Sequence, residues 1–298
     1  MHHKKGISLI IGTAIISGFS IFINQFGVQV VSSDIFTFLK NLVAGVVVVG
    51  VLLLMNEWQA VKKLKMQDYN KLVLIGLIGG SIPFILFFKG LAISFASNGA
   101  LIHKSMFLFV AVLAVIILKE KPKKNLIIGM LLILIGNVLL LNFNSELFLH
   151  KSDLLILGAT LLWAMENIIS KRALETISPR IVASSRMLFG GAFIVVYLAI
   201  TGQLNSIMSL NLAQLSWVWL TGIILTGYVL TWYTGLKYIN VSTATCLLTL
   251  GLPITTGLQL MQGKIFSGVQ IIGLIILMAG FSLILFSVWK RKFLYEVV

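Results

Sequence analysis

The stretch Leu154-Leu155-Ile156-Leu157-Gly158-Ala159-Thr160-Leu161-Leu162-Trp163-Ala164-Met165-Glu166-Asn167-Ile168-Ile169-Ser170-Lys171 decides how the chain is read. It is apolar for nearly the ~20 residues that cross the roughly 30 Å hydrocarbon core of a bilayer, yet it holds a carboxylate in its interior. As a membrane helix it places Glu166 roughly 10 Å, about two turns, from its nearer end. An acid at that depth is costly, and it is kept for function or paired with a cation.

Composition extends this reading to the whole chain. Of 298 residues, 58% are hydrophobic and 11% charged, whereas soluble domains run near ~45–50% apolar and ~25% charged. That excess of apolar sequence marks a polytopic, all-α integral membrane protein. A net charge of +14 would point to nucleic acid in a soluble chain. Here Lys and Arg cluster in short connections between apolar runs, so the charge is a topology signal and no nucleic-acid partner is expected. The single cysteine, Cys246, lies in an apolar run and reads as a small packed hydrophobe. Lys4-Lys5 ahead of an apolar run imitates a signal peptide, but the run from Ile7 to Val28 is too long for one. It also lacks a small-x-small cleavage site, so a retained first span is expected.

Apolar runs give ten expected spans: 7–28, 34–56, 70–90, 95–118, 124–142, 153–173, 180–200, 214–236, 241–261 and 268–289. Lys40, Lys104 and Arg186 fall inside spans, and Lys89, Lys151 and Lys264 fall on one side. All other Lys and Arg fall on the opposite side, Lys290, Arg291 and Lys292 included. The positive-inside rule makes that crowded side cytoplasmic, which puts both termini of a multi-pass cell-membrane protein there.

The second half repeats the first. Gly12, Lys40 and Gly45 match Gly158, Arg186 and Gly191 at an offset of 146. Lys89-Gly90-Leu91 matches Thr234-Gly235-Leu236 at an offset of 145, and Gly129 and Gly136 match Gly273 and Gly280 at 144. Residues 1–145 and 146–298 are therefore expected to form two five-helix units. An odd number of spans per unit makes the second enter the membrane from the opposite side, the inverted repeat that transporters use about a midplane site.

At these residues the chain resembles the drug/metabolite transporter (DMT) superfamily, in particular its EamA-type ten-helix members. Trp163-Ala164 and Lys171 are similar to the opening motif of a family half. Lys40 and Arg186 fit the basic position of the second helix, and Glu120 followed by Gly129 and Gly136 fits the closing pattern. The first half departs at Ser17-Gly18, which stand where Trp163-Ala164 do. The second half departs at Lys264, which stands where Glu120 does. The resemblance implies a membrane transporter, and export of amino acids or related compounds is the expectation it carries.

Candidate site residues follow from polar side chains inside spans. Glu166 shares a helix face with Trp163 and Ser170, with Asn167 at its edge. The first-half counterpart is Ser17, Ser20 and Asn24, so two polar faces are expected to meet at one aqueous cavity. Glu166 is a candidate for a substrate amine or a coupling proton, the alternative being a structural partner of Lys104 or another cation. His103 and Lys104 lie well inside the fourth span, Lys104 able to hold a cargo carboxylate and His103 able to titrate near neutral pH. Lys40 and Arg186 read as shallower, with stems long enough to snorkel toward the interface. Phe84, Phe87 and Phe88 in the third span and Tyr228, Trp232 and Tyr233 in the eighth are either cavity walls or lipid contacts. Tyr228 and Trp232, i and i+4 with polar handles, are the better wall candidates. Pro83 and Pro253 deprive the carbonyls of Gly79 and Thr249 of their helical partners, leaving kinks or cavity-lining acceptors. The heptad-spaced glycines point to close helix packing.

No Gly-x-x-x-x-Gly-Lys-Ser/Thr and no His-Glu-x-x-His is present, so neither a nucleotide, a metal nor any other cofactor is expected. The expected function is secondary active transport of small organic metabolites by alternating access, with proton coupling open and a monomer or homodimer as the unit. Multidrug efflux or phosphorylated metabolites are alternatives within the class. A lipid-modifying membrane enzyme and a channel are alternatives outside it.

Overall fold

The computed structural model describes residues 2–94, 96–140 and 150–289. Among them the chain is helical with no strand, and ten apolar segments follow one another: α1 (His2–Val30), α2 (Ser33–Leu54), α3 (Met66–Ala92), α4 (Gly99–Ile117), α5 (Lys124–Leu140), α6 (Lys151–Ala173), α7 (Pro179–Ile200), α8 (Leu212–Tyr238), α9 (Val241–Met261) and α10 (Gly268–Trp289). All but α5 are long and apolar enough to cross a membrane. The 17 residues of α5 reach ~25 Å, and residues 141–149, which follow it, lie outside the described residues. So do the expected division between 145 and 146 and the cationic run Lys290, Arg291 and Lys292.

Local chemistry sets several boundaries. Ser178 caps α7, its Oγ accepting from the Ile181 amide, and Pro179 follows at the first turn, where its missing N–H costs nothing. Asn211 and Gln214 form a reciprocal capping box at the start of α8. The repeat is written into backbone conformation as well. Left-handed residues close α2 at Asn56 and α4 at Lys119, with φ of 55° and 56°. Their repeat mates, at offsets of 146 and 144, are Gly202 and Gly263, with φ of 68° and 86°. The second half thus meets the same backbone demand with the residue that adopts it most readily.

The two halves interlock rather than lie side by side. Helix α1 packs on α8 and α9, as its mate α6 packs on α3 and α4. Helix α2 lies against α8 as α7 lies against α3, while α2–α7 and α5–α10 pair across the pseudo-axis. In the last of these pairs a Cβ on Gly129 would meet Ile284 at 2.3 Å and the Gly280 carbonyl at 3.1 Å. One on Gly136 would lie 2.6 Å from the Gly273 carbonyl and 2.7 Å from Leu277. These glycines therefore pack crosswise, as their heptad spacing led us to expect. Gly136→Val should lower thermal stability by about 1–3 kcal/mol, the usual range for overpacking. Gly12→Ala, equally repeated but facing open space, should be neutral. Thermal unfolding of the detergent-solubilised protein compares them, and equal behaviour would refute the tight α5–α10 seam.

Candidate functional site: a central cavity between the halves

Pro83 organises the third helix. Its ring removes a backbone donor, and the preceding turn widens into a π-helix over Gly76–Ser81. The carbonyl of Gly79, left without a helical partner, is taken up by two side chains from the other half. Trp163 Nε1 donates to it at 2.9 Å, and Arg186 Nη2 donates at 2.9 Å. Only glycine permits this approach, because a Cβ on Gly79 would stand 2.5 Å from Glu166 Cγ. The next residue lets α3 and α7 touch backbone to backbone, a Cβ on Gly80 falling 2.1 Å from the Arg186 carbonyl oxygen. The matching carbonyl of Thr249 behaves differently, accepting locally from the Leu252 amide at 2.9 Å. Of the two carbonyls expected to be freed, one is thus used across the interface and the other is closed within a turn.

Beside Gly79 runs a chain of polar groups. Arg186 Nη1 donates to the Tyr233 hydroxyl at 3.1 Å, and that hydroxyl donates to Glu166 Oε1 at 2.6 Å. Ser170 donates to the same oxygen, so both contacts fall on Oε1. Asn167 is spent on positioning: its amide donates to the Trp163 carbonyl at 2.8 Å, and its oxygen accepts from Trp232 Nε1 at 3.1 Å.

The first half mirrors this arrangement with different chemistry. Lys40 donates to Asn24 Oδ1 at 2.7 Å and lies 4.5 Å from the centre of the Phe88 ring. Its mate Arg186 lies over Tyr233, the mate of Phe88, at 5.8 Å, and over Phe84 at 5.4 Å. Each half therefore seats its intramembrane cation on an aromatic of its own third helix, a favourable arrangement once water is excluded. Lys40 and Arg186 are 2% and 4% exposed. They do not snorkel, because hydrogen-bond acceptors and rings inside the bundle hold them.

These groups surround one cavity of about 580 Å³, part of it open solvent. Its acid is Glu166, its cations are Lys40 and Arg186, and Ser20, Asn24, Asn167 and His103 add polar edges. Trp163, Tyr228 and Trp232 line it too. Phe84, Phe87 and Phe88 form its aromatic wall with Trp163, whose ring lies 5.3 Å from both Phe84 and Phe87 and 4.9 Å from His103. The phenylalanines thus face the cavity rather than lipid. Two expected residues stand back from it. Ser170 reaches it only through Glu166. Lys104 reaches it only through Ser17, which lines the cavity and accepts from Lys104 at 2.7 Å, and it does not pair with Glu166. Among the described residues no carboxylate forms an ion pair with Lys40, Lys104 or Arg186. Ile21, Met106 and Leu225 were missed, although each lies three residues from a polar candidate, Asn24, His103 and Tyr228 respectively, on the same helical face.

The ends of the α2–α7 pair carry a second repeated feature. At one end Asp34 pairs with Lys89 at 3.2 Å and accepts from Tyr197 at 3.1 Å and Gln203 at 3.2 Å. At the other, Glu57 binds Arg180 and Ser178. Asp34 and Arg180 are repeat mates at an offset of 146, as are Glu57 and Gln203. The same two positions therefore clamp both ends of the bundle, the carboxylate standing at the first of them at one end (Asp34) and at the second at the other (Glu57). Glu120, the family-type acid closing α4, caps α9 by accepting from the Val241 amide at 2.8 Å and the Ser242 amide at 3.3 Å.

Two interlocked five-helix repeats around a polar cavity inside an apolar bundle define a membrane transporter. The chain belongs to the EamA-like transporter family, which matches it twice, over residues 4–142 and 150–286. It is 25% identical over 223 residues to a Bacillus subtilis protein named uncharacterized transporter YyaM, covering 72% of this chain and 71% of that one. It is 26% identical over 145 residues to an uncharacterized transporter of Methanothermobacter thermautotrophicus, covering 47% of this chain and 42% of that one. A solved structure described only as a crystal structure of a protein shares the fold, with a TM-score of 0.75 and 18% identity over 96% of this chain and 98% of that one. The protein is thus a multi-span transporter working in lipid on a small-molecule substrate.

Proposed function

We propose that the protein is a secondary active transporter of amino acids or closely related metabolites, working by alternating access in the cell membrane with both termini cytoplasmic. The observation that carries this is the cavity's mixed charge beside an aromatic wall. Glu166 suits a substrate amine, Lys40 and Arg186 suit a carboxylate, and the rings of Phe84, Phe87 and Trp163 suit an apolar side chain. Export, rather than uptake, follows the family resemblance. The clamps at Asp34 and Glu57 act as alternate gates: opening one end of α2–α7 breaks one cluster while its mate holds the other. The transporter names of both relatives favour a carrier over a lipid-modifying enzyme. A phosphorylated cargo is the second reading, favoured by the two cations that line the cavity against one acid.

Counterflow in proteoliposomes tests the proposal. A labelled amino-acid panel, with and without an imposed pH gradient, should show saturable exchange of at least one compound. Silence across the panel from folded protein would overturn the amino-acid reading in favour of the phosphorylated one. Flux without saturation or counterflow would make the protein a channel.

A further inference from the structure

A second, smaller cavity opens where the start of α1, the α4–α5 and α8–α9 connections and the end of α10 converge. Its rim carries the cations Lys121 and Lys123 from the α4–α5 connection, with the imidazole of His3 from α1 beside them. Lys4, one residue on, lies over Trp289 at 5.5 Å, at the end of α10.

Neutral donors stand inside that rim. Asn240 occupies the cap position of α9 but makes no side-chain cap bond, because Glu120 already serves the first amides of that helix. Its amide is thereby released to the cavity, where the hydroxyls of Thr243 and Ser287 join it. Thr243 is 8% exposed, and none of the three side chains hydrogen-bonds another described residue. Glu120, the residue before Lys121, is engaged beside this cavity by the Val241 and Ser242 amides and by the Ser242 hydroxyl. The floor is apolar, formed by Leu126, Ile239 and Val288. The adjoining helix α10 turns Ile271, Ile275 and Phe286 outward, as a helix facing acyl chains does.

Ammonium, amide and hydroxyl donors above an apolar floor, at the ends of membrane helices, match a phosphodiester joined to a lipid tail. We infer that this cavity binds the phosphate headgroup of an anionic phospholipid, tying the first helix of one repeat to the last two of the other. Free phosphate shares the headgroup's charge but has nothing to place on Leu126, Ile239 and Val288.

Native mass spectrometry of the full chain in detergent tests the inference, with phosphatidylglycerol, phosphatidylcholine and inorganic phosphate titrated separately. Phosphatidylglycerol should bind about tenfold more tightly than phosphatidylcholine, a difference of ~1.4 kcal/mol. Lys121→Gln/Lys123→Gln should erase that preference. Lys62→Gln/Lys63→Gln removes the same charge from the α2–α3 connection and should leave the preference intact. Equal binding of the two lipids, equal loss in both double variants, or binding of inorganic phosphate without lipid preference would each overturn the assignment. Because no substrate enters the measurement, its result is independent of the cargo proposed above.

Discussion

Glu166→Gln should leave the protein folded and abolish the dependence of transport on a pH gradient. Glutamine keeps the shape of the side chain and an oxygen that accepts from Ser170 and Tyr233, so the polar chain to Arg186 survives. What it loses is the ability to exchange a proton and the only carboxyl group that lines the cavity among the described residues. Glu166 is 1% exposed over the whole residue, so its charge is screened little and must be balanced locally. A substrate ammonium or a bound proton can supply that balance at the cavity. If a proton drives the cycle, gradient-driven flux in the variant falls at least about tenfold, while counterflow, which needs no net proton movement, falls less. If Glu166 holds only the substrate amine, both fall together. Wild-type rates with an unchanged pH response would remove Glu166 from either role.

That so much of this cavity could be read from sequence has a physical reason. A polar side chain in a membrane helix has no solvent to face, so Ser20, Asn24, Glu166 and Asn167 had to turn toward one another across the bundle. The same reasoning applies to Tyr228 and Trp232, which line the cavity and whose polar atoms need partners or water. What sequence misjudged for Lys40 and Arg186 was snorkelling, since both are buried. Distance along a helix from its end measures height in the membrane but does not reveal an acceptor in a neighbouring helix, and Asn24 and the Gly79 carbonyl provide one for each. Lys104 stands one residue behind the wall, its ammonium donating to the lining hydroxyl of Ser17. The clamp positions went unnoticed because Asp34 and Arg180 carry opposite charges, and a search for like residues at a fixed offset passes over them. Likewise Asn56 and Lys119 resemble Gly202 and Gly263 only in backbone conformation.

Arg186→Leu should cost both stability and transport, and Arg186→Lys should rescue little of either. The guanidinium binds acceptors on two different helices, the Gly79 carbonyl of α3 and the Tyr233 hydroxyl of α8, with separate nitrogens of one planar group. Lysine preserves the charge but concentrates its donors on a single atom, which cannot span both acceptors in that geometry. With leucine the Gly79 carbonyl retains Trp163 alone, while Tyr233 loses the donor that fixes its hydroxyl toward Glu166. Losing charged hydrogen bonds in a buried setting costs about 1.5–3 kcal/mol each, so the leucine variant should melt several degrees lower in detergent. For transport, KM in counterflow should rise about tenfold or more in both variants if Arg186 also holds the cargo carboxylate. A lysine variant with normal KM but lowered stability would confine Arg186 to holding α3 against α8, leaving Lys40 as the carboxylate's partner. A leucine variant equal to wild type in both measurements would mean that the π-turn before Pro83 is held by Trp163 alone.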